Sequence, residues 1–131
     1  MTDDTLTQAL IQAADGELSR VHDLLAAGAN PNGMPLIMAI QCGERAIVQM
    51  MIAAGADVNA PFSHTTPLIH AISSSYPDIV DVLIRAGANV NQAAPDTTMP
   101  LDAAQTQGRM NTTADKRDQI IQLLLNAGAH E

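Results

Sequence analysis

One tetrapeptide returns along this chain at near-regular intervals: Ala27-Gly28-Ala29-Asn30, Ala54-Gly55-Ala56-Asp57, Ala86-Gly87-Ala88-Asn89 and Ala127-Gly128-Ala129-His130. Three of the four are preceded by a second marker, Met34-Pro35-Leu36, Thr66-Pro67-Leu68 and Met99-Pro100-Leu101. The three prolines are almost evenly spaced, and the step from proline to the following glycine is identical in both central copies, Pro35 to Gly55 and Pro67 to Gly87. A fixed period of a few tens of residues decides the architecture before any local reading, because each copy is then one supersecondary unit. In the last copy the step from Pro100 to Gly128 is clearly longer, which predicts an insertion around Arg109 to Asp115 between its two helices.

Each marker has a physical role. Proline suits the first helical turn, where its missing N–H and fixed φ cost nothing, so Pro35, Pro67 and Pro100 predict the starts of first helices. The glycines at 28, 55, 87 and 128 follow apolar stretches and predict left-handed helix ends. Gly43 marks the turn from first to second helix, and Ser73-Ser74-Ser75-Tyr76-Pro77 does the same job one repeat later, with Pro77 opening the next helix. The second helices then run through Ile47-Val48, Ile79-Val80 and Ile120-Ile121, with apolar residues recurring once per helical turn. No helix pair of this kind buries its apolar face alone, so neighbours must stack to form a core. With 47% hydrophobic residues but only 2% aromatic, that core must be built from Ala, Leu, Ile, Val and Met. The chain's 131 residues are enough for one domain.

These residues resemble the ankyrin repeat. The family pattern is matched by Thr66-Pro67-Leu68, Ala71, Ile79-Val80, Leu83-Ile84 and Gly87-Ala88-Asn89-Val90-Asn91, and again by the copy from 34 to 59, ending in Gly55-Ala56-Asp57-Val58-Asn59. The resemblance implies an all-α fold, an ankyrin-repeat solenoid of about four helix-turn-helix repeats joined by short β-turn fingers. The repeats fall at about 5–28 (an amino-terminal cap), 34–55, 66–87 and 99–128, in one domain spanning 1–131. The chain departs from the family where a histidine is expected after Pro-Leu: Ile37, Ile69 and Asp102 stand there, and His70 lies one position later. The fingers differ too. Gly28 leads almost directly to Pro35 through a tight turn at Asn32-Gly33, whereas the next two fingers, from Gly55 to Pro67 and from Gly87 to Pro100, are nearly twice as long.

Members of this family usually hold partners with finger tips and the concave surface of the first helices. Carried onto this sequence, that implies Phe62, Ser63, His64 and Thr65 in the second finger and Pro95, Asp96 and Thr97 in the third. On the first helices it implies Met38, Gln41, His70, Ser73, Ser74, Ala103 and Thr106. Phe62 is the preferred single contact, since aromatic residues are enriched among interface hot spots.

Charge narrows the choice of partner. Six Lys and Arg against 14 Asp and Glu give a net charge of −8, which repels phosphate and so argues against nucleic acid and anionic lipid and favours a basic protein. Cys42 is the only cysteine, so the chain has no disulfide framework, and no apolar run approaches the length of a membrane span. The acidic start Met1-Thr2-Asp3-Asp4 is unlike a secretory leader, and a monomer in the cytoplasm is expected.

Catalytic chemistry finds little support. His22, His64, His70 and His130 lack metal-ligand spacing, Asp78 and Asp81 fit a solvated helix edge, and Cys42 has no nearby base. No cofactor is expected. The leading reading is a non-enzymatic protein-binding module. Its rivals are an acidic inhibitor or antitoxin-like immunity protein that blocks a basic enzyme, and a metal-binding or hydrolytic protein using His64 and His70. A further alternative is assembly through the uncapped end near Ala127 to Glu131.

Overall fold

The computed structural model describes residues 3–14, 16–106 and 114–129. The described residues form eight α-helices: α1 (Asp3–Ala13), α2 (Leu18–Ala26), α3 (Met34–Gln41), α4 (Arg45–Ala53), α5 (Pro67–Ser73), α6 (Pro77–Arg85), α7 (Pro100–Thr106) and α8 (Ala114–Asn126). They fall two to each expected repeat. Pro67, Pro77 and Pro100 open their helices as the sequence predicts, while Pro35 is the second residue of α3, still within the turn whose N–H groups have no helical acceptor. The expected insertion falls largely outside the described residues, and its last part is helical. Ala114 and Asp115 already belong to α8, a second helix of 13 residues where α2, α4 and α6 have 9, and residues 109–113 lie outside the described residues. His130 and Glu131, at the end considered for assembly, lie outside them too.

The chain divides into two compact units, one ending at Asp57 and the other beginning at Val58. In the first, α1 pairs with α2 and α3 with α4, and the pairs stack through α1 on α3 and α2 on α4. Leu10, Val21, Leu36, Ile40, Ile47, Val48 and Met51 fill the space between them and are almost wholly buried. Of the adjacent methionines, Met51 is buried, whereas Met50 is only half-buried.

The second unit repeats the arrangement with α5 on α6, α7 on α8, α5 on α7 and α6 on α8. Its core is Leu68, Ile72, Ile79, Val80, Leu83, Leu101, Ile120 and Leu124. On the outer edge of α6, Asp81 pairs with Arg85 at 3.0 Å, an exposed i,i+4 contact contributing about 0.3–0.5 kcal/mol. Asp78 is exposed beside it, so both acids sit on the solvated edge that the sequence predicts.

All four second helices end alike. The Gly N–H donates three residues back and the following Ala N–H donates five residues back, as in Gly87 to the Ile84 carbonyl (3.0 Å) and Ala88 to the Leu83 carbonyl (2.9 Å). This is a Schellman turn, which satisfies carbonyls that the helix leaves open. First helix α5 ends the same way, with Ser75 donating to Ile72 and Tyr76 to Ala71, but its left-handed residue is a serine, with φ of 62°. Gly43 fills the equivalent place after α3.

Ser75 is therefore costly where it stands. A side chain in the left-handed region costs roughly 1–2 kcal/mol, and its hydroxyl is buried with no hydrogen-bond partner among the described residues. Ser75→Gly relieves both, against the extra freedom glycine has in the unfolded chain. We expect it to stabilise the chain by about 1–2 kcal/mol, read as a higher urea midpoint at unchanged slope. A midpoint that fell would show that the serine makes a contact worth more than its strain.

Candidate functional site

The loops between repeats are shaped by asparagines that recur four places after the helix-ending glycine, at Asn32, Asn59 and Asn91. In the first unit the Asp57 N–H donates to Asn32 Oδ1 at 2.6 Å. In the second unit Asn59 accepts the Asn89 N–H on Oδ1 (2.7 Å) and donates from Nδ2 to the Gly87 carbonyl (3.1 Å). Gln92 Nε2 then donates to the Asn59 carbonyl at 2.9 Å, and Asn91 Nδ2 donates to the Gly128 carbonyl at 3.2 Å. Each asparagine thus ties the base of its own loop to the helix end of the next repeat.

On that base stand the two fingers of the second unit. In one, Phe62 and Thr65 face each other as an antiparallel bridge, with the Phe62 N–H donating to the Thr65 carbonyl (3.0 Å) and the Thr65 N–H to the Phe62 carbonyl (3.2 Å). The two-residue turn between them is Ser63-His64. Ser63 has φ of 59°, at the position where a type II′ hairpin turn prefers glycine, and its hydroxyl lies 3.0 Å from His64 Nδ1. Ser63 and His64 are exposed; Phe62 and Thr65 are half-buried.

The other finger closes with hydrogen bonds from Thr97 to the Ala94 carbonyl and from Ala94 to the Thr98 carbonyl, both 2.8 Å. Pro95 and Asp96 form the turn, and Thr97 follows at φ of 72°, as in a three-residue hairpin with a bulge. Pro95, Asp96 and Thr97 are all exposed. Hydrogen bonds from the Thr98 side chain and N–H hold the Asp96 carboxyl below its ordinary range, and His64 on the neighbouring finger adds to this. The two tips are therefore close enough for their charges to interact.

The first-helix residues behave less uniformly. His70 and Ser73 on α5 and Ser74 at its end are half-buried, and in the first unit Met38 is half-buried while Gln41 is exposed. Thr106 is exposed, with its hydroxyl donating to the Asp102 carbonyl at 2.8 Å. Ala103 is a correction. Its place matches His70 and Met38 in the repeat, but it has only a methyl group on a helix that packs against both α5 and α8, and it is 0% exposed. It belongs to the core.

His70 Nε2 is sealed from solvent without a hydrogen-bond partner among the described residues, and burial holds the imidazole below its ordinary pKa of 6.5. Below that ordinary value the unfolded chain takes up a proton that the folded chain resists. The stability tied to this residue is complete above it and is lost as pH falls through the window down to the depressed value. We expect the melting temperature to fall as pH drops through and below about 6.5, and His70→Gln to shrink that drop. An equal drop in the variant would assign the pH response elsewhere.

Reading the sequence for binding residues passes over the asparagines, although their constant distance from the glycine is visible in it. Among the described residues, no group of three or more His, Cys, Asp or Glu is placed to share a metal ion, and no helix is long and apolar enough to cross a membrane. Exposed Cys42 closes α3.

Paired helices stacked on like pairs, with left-handed turns closing all four second helices, define an all-α helix-turn-helix repeat protein. The family model for ankyrin repeats matches residues 9–94 in three copies, more than half of the chain, and the chain belongs to that family. The match stops before α7 and α8, which form a fourth helix pair despite the lengthened interval between their markers. A search of the curated proteins returned no match. Ankyrin repeats generally act as protein–protein interaction modules and are typically not enzymes.

Proposed function

We propose that this chain binds a basic protein through the two finger tips of its second unit, with Phe62, Ser63, His64, Thr65, Pro95, Asp96 and Thr97 as the contact residues. His70, Ser73, Ser74 and Thr106 on the same unit are further candidates, and Met38 and Gln41 are separate candidates on the first unit. One observation supports this reading above others: the tips project exposed polar groups while Asn59 and Gln92 tie their bases together. A surface ordered before binding loses little conformational freedom when a partner docks. The net charge of −8 and an Asp96 kept ionised to low pH favour a positively charged counterpart, with association steered by charge. A single cysteine suits a reducing compartment, and we place this module in the cytoplasm.

The test is capture of a protein from the host cell by the immobilised chain, followed by measured affinity. Phe62→Ala is expected to weaken the complex by more than roughly tenfold, the threshold of a hot-spot residue. Rising salt is expected to weaken it further. Equal affinity for the wild type and a Phe62→Ala, Asp96→Ala double variant of unchanged dichroism would move the surface away from the tips.

A further inference from the structure

We infer that Asn32-Gly33 is a self-modifying site, at which the folded chain converts Asn32 to aspartate and isoaspartate without an enzyme. The chemistry needs a following backbone nitrogen that no side chain shields, and a polarised side-chain amide carbonyl. Both are present. Of the seven asparagines, Asn32 is the one followed by glycine, so no Cβ shields the nitrogen. The Gly33 N–H makes no hydrogen bond among the described residues, and Gly33 takes φ of 79° and ψ of −129°, a conformation open essentially to glycine alone. Asn32 itself is exposed. Its Oδ1 accepts the Asp57 N–H at 2.6 Å, which draws electron density from Cγ and is placed to stabilise negative charge on that oxygen.

The step balances with water as the only co-reactant. Gly33 N, losing its proton to solvent, attacks Asn32 Cγ; the C–N bond to the side-chain amide breaks and ammonia leaves, giving a cyclic succinimide. Water then adds to either ring carbonyl. Opening at one restores a normal backbone as aspartate, and opening at the other routes the chain through the side chain as isoaspartate. Either product adds a negative charge next to Asp57. Isoaspartate also lengthens the backbone by one methylene and carries the acceptor away from the Asp57 N–H. The link between the loop before α3 and the end of the α4 repeat is then lost, so the site acts as a slow, irreversible release of that contact.

The experiment incubates the full chain at mildly alkaline pH and follows each asparagine by peptide mapping and mass spectrometry. Asn59 is an internal reference, because it accepts an equivalent bond from the Asn89 N–H at 2.7 Å but is followed by Ala60. Asn32 is expected to convert on the order of tenfold faster than Asn59, as an unshielded glycine nitrogen allows. The modified fraction, separated by ion exchange, is expected to unfold at lower urea, and Asn32→Gln to abolish the charge change. A second arm holds the chain in urea. Conversion of Asn32 only in urea, or no faster than Asn59 in the folded chain, would overturn the inference.

Discussion

Leu83→Ala is expected to remove about 2–5 kcal/mol of unfolding free energy, the range for emptying a leucine site that cannot collapse. Leu83 is 0% exposed in the last turn of α6, a helix packed against both α5 and α8. Its neighbours are held from several sides. Ile79 and Val80 sit on the same helix, Ile72 on α5, and Ile120 and Leu124 on α8, all within 2% of complete burial. A void at that point costs the lost transfer energy of the side chain and the contacts of its lining. Small domains are stable by about 5–15 kcal/mol, so this one change removes a large share of the total. Urea unfolding followed by far-UV dichroism measures it, and a loss under about 1 kcal/mol would mean that the helices shift to close the gap.

Asn59→Ala is expected to cost about 1–3 kcal/mol, because it strands the Asn89 N–H and the Gly87 carbonyl together. The bond from Gln92 goes to the Asn59 main-chain carbonyl and survives the substitution. Amide hydrogen exchange separates this loss from a general weakening: Asn89 should lose protection while the centre of α6 keeps it. Asn59→Asp divides the two bonds, since the carboxylate still accepts from Asn89 but has nothing to donate to Gly87. An intermediate cost for Asp supports the assignment. Equal costs for Ala and Asp would place all of the effect on the Gly87 carbonyl.

Much of this architecture was legible because it repeats. Gly28, Gly55, Gly87 and Gly128 mark helix ends in any context, since few other residues take a left-handed φ cheaply, and prolines open helices for an equally local reason. The asparagine links were harder to read, because each joins groups far apart in the chain, Asn32 to Asp57 and Asn91 to Gly128, and no local rule names the partner. Ser75 is a different failure. Its left-handed conformation is imposed by the packing of α5 against α6, against the preference of serine itself. Ala103 shows the limit of carrying a position from one repeat to another: the position sets the direction of a side chain, but its size decides whether neighbouring helices cover it. Finger tips at Ser63 and Thr97 were legible as loops, while their hairpin hydrogen bonds were not, because neither carries the glycine that usually announces such turns.

The asparagine placed four residues past Gly28, Gly55 and Gly87 has a consequence for how such a chain can grow. Because within each unit a loop carries the group that ties it to the next helix end, a duplicated segment arrives with its own connector, and lengthening the array demands no new surface elsewhere. Copy number can then drift through unequal recombination while the joint between consecutive modules stays the same, leaving selection free to act on what the outward-facing tips display.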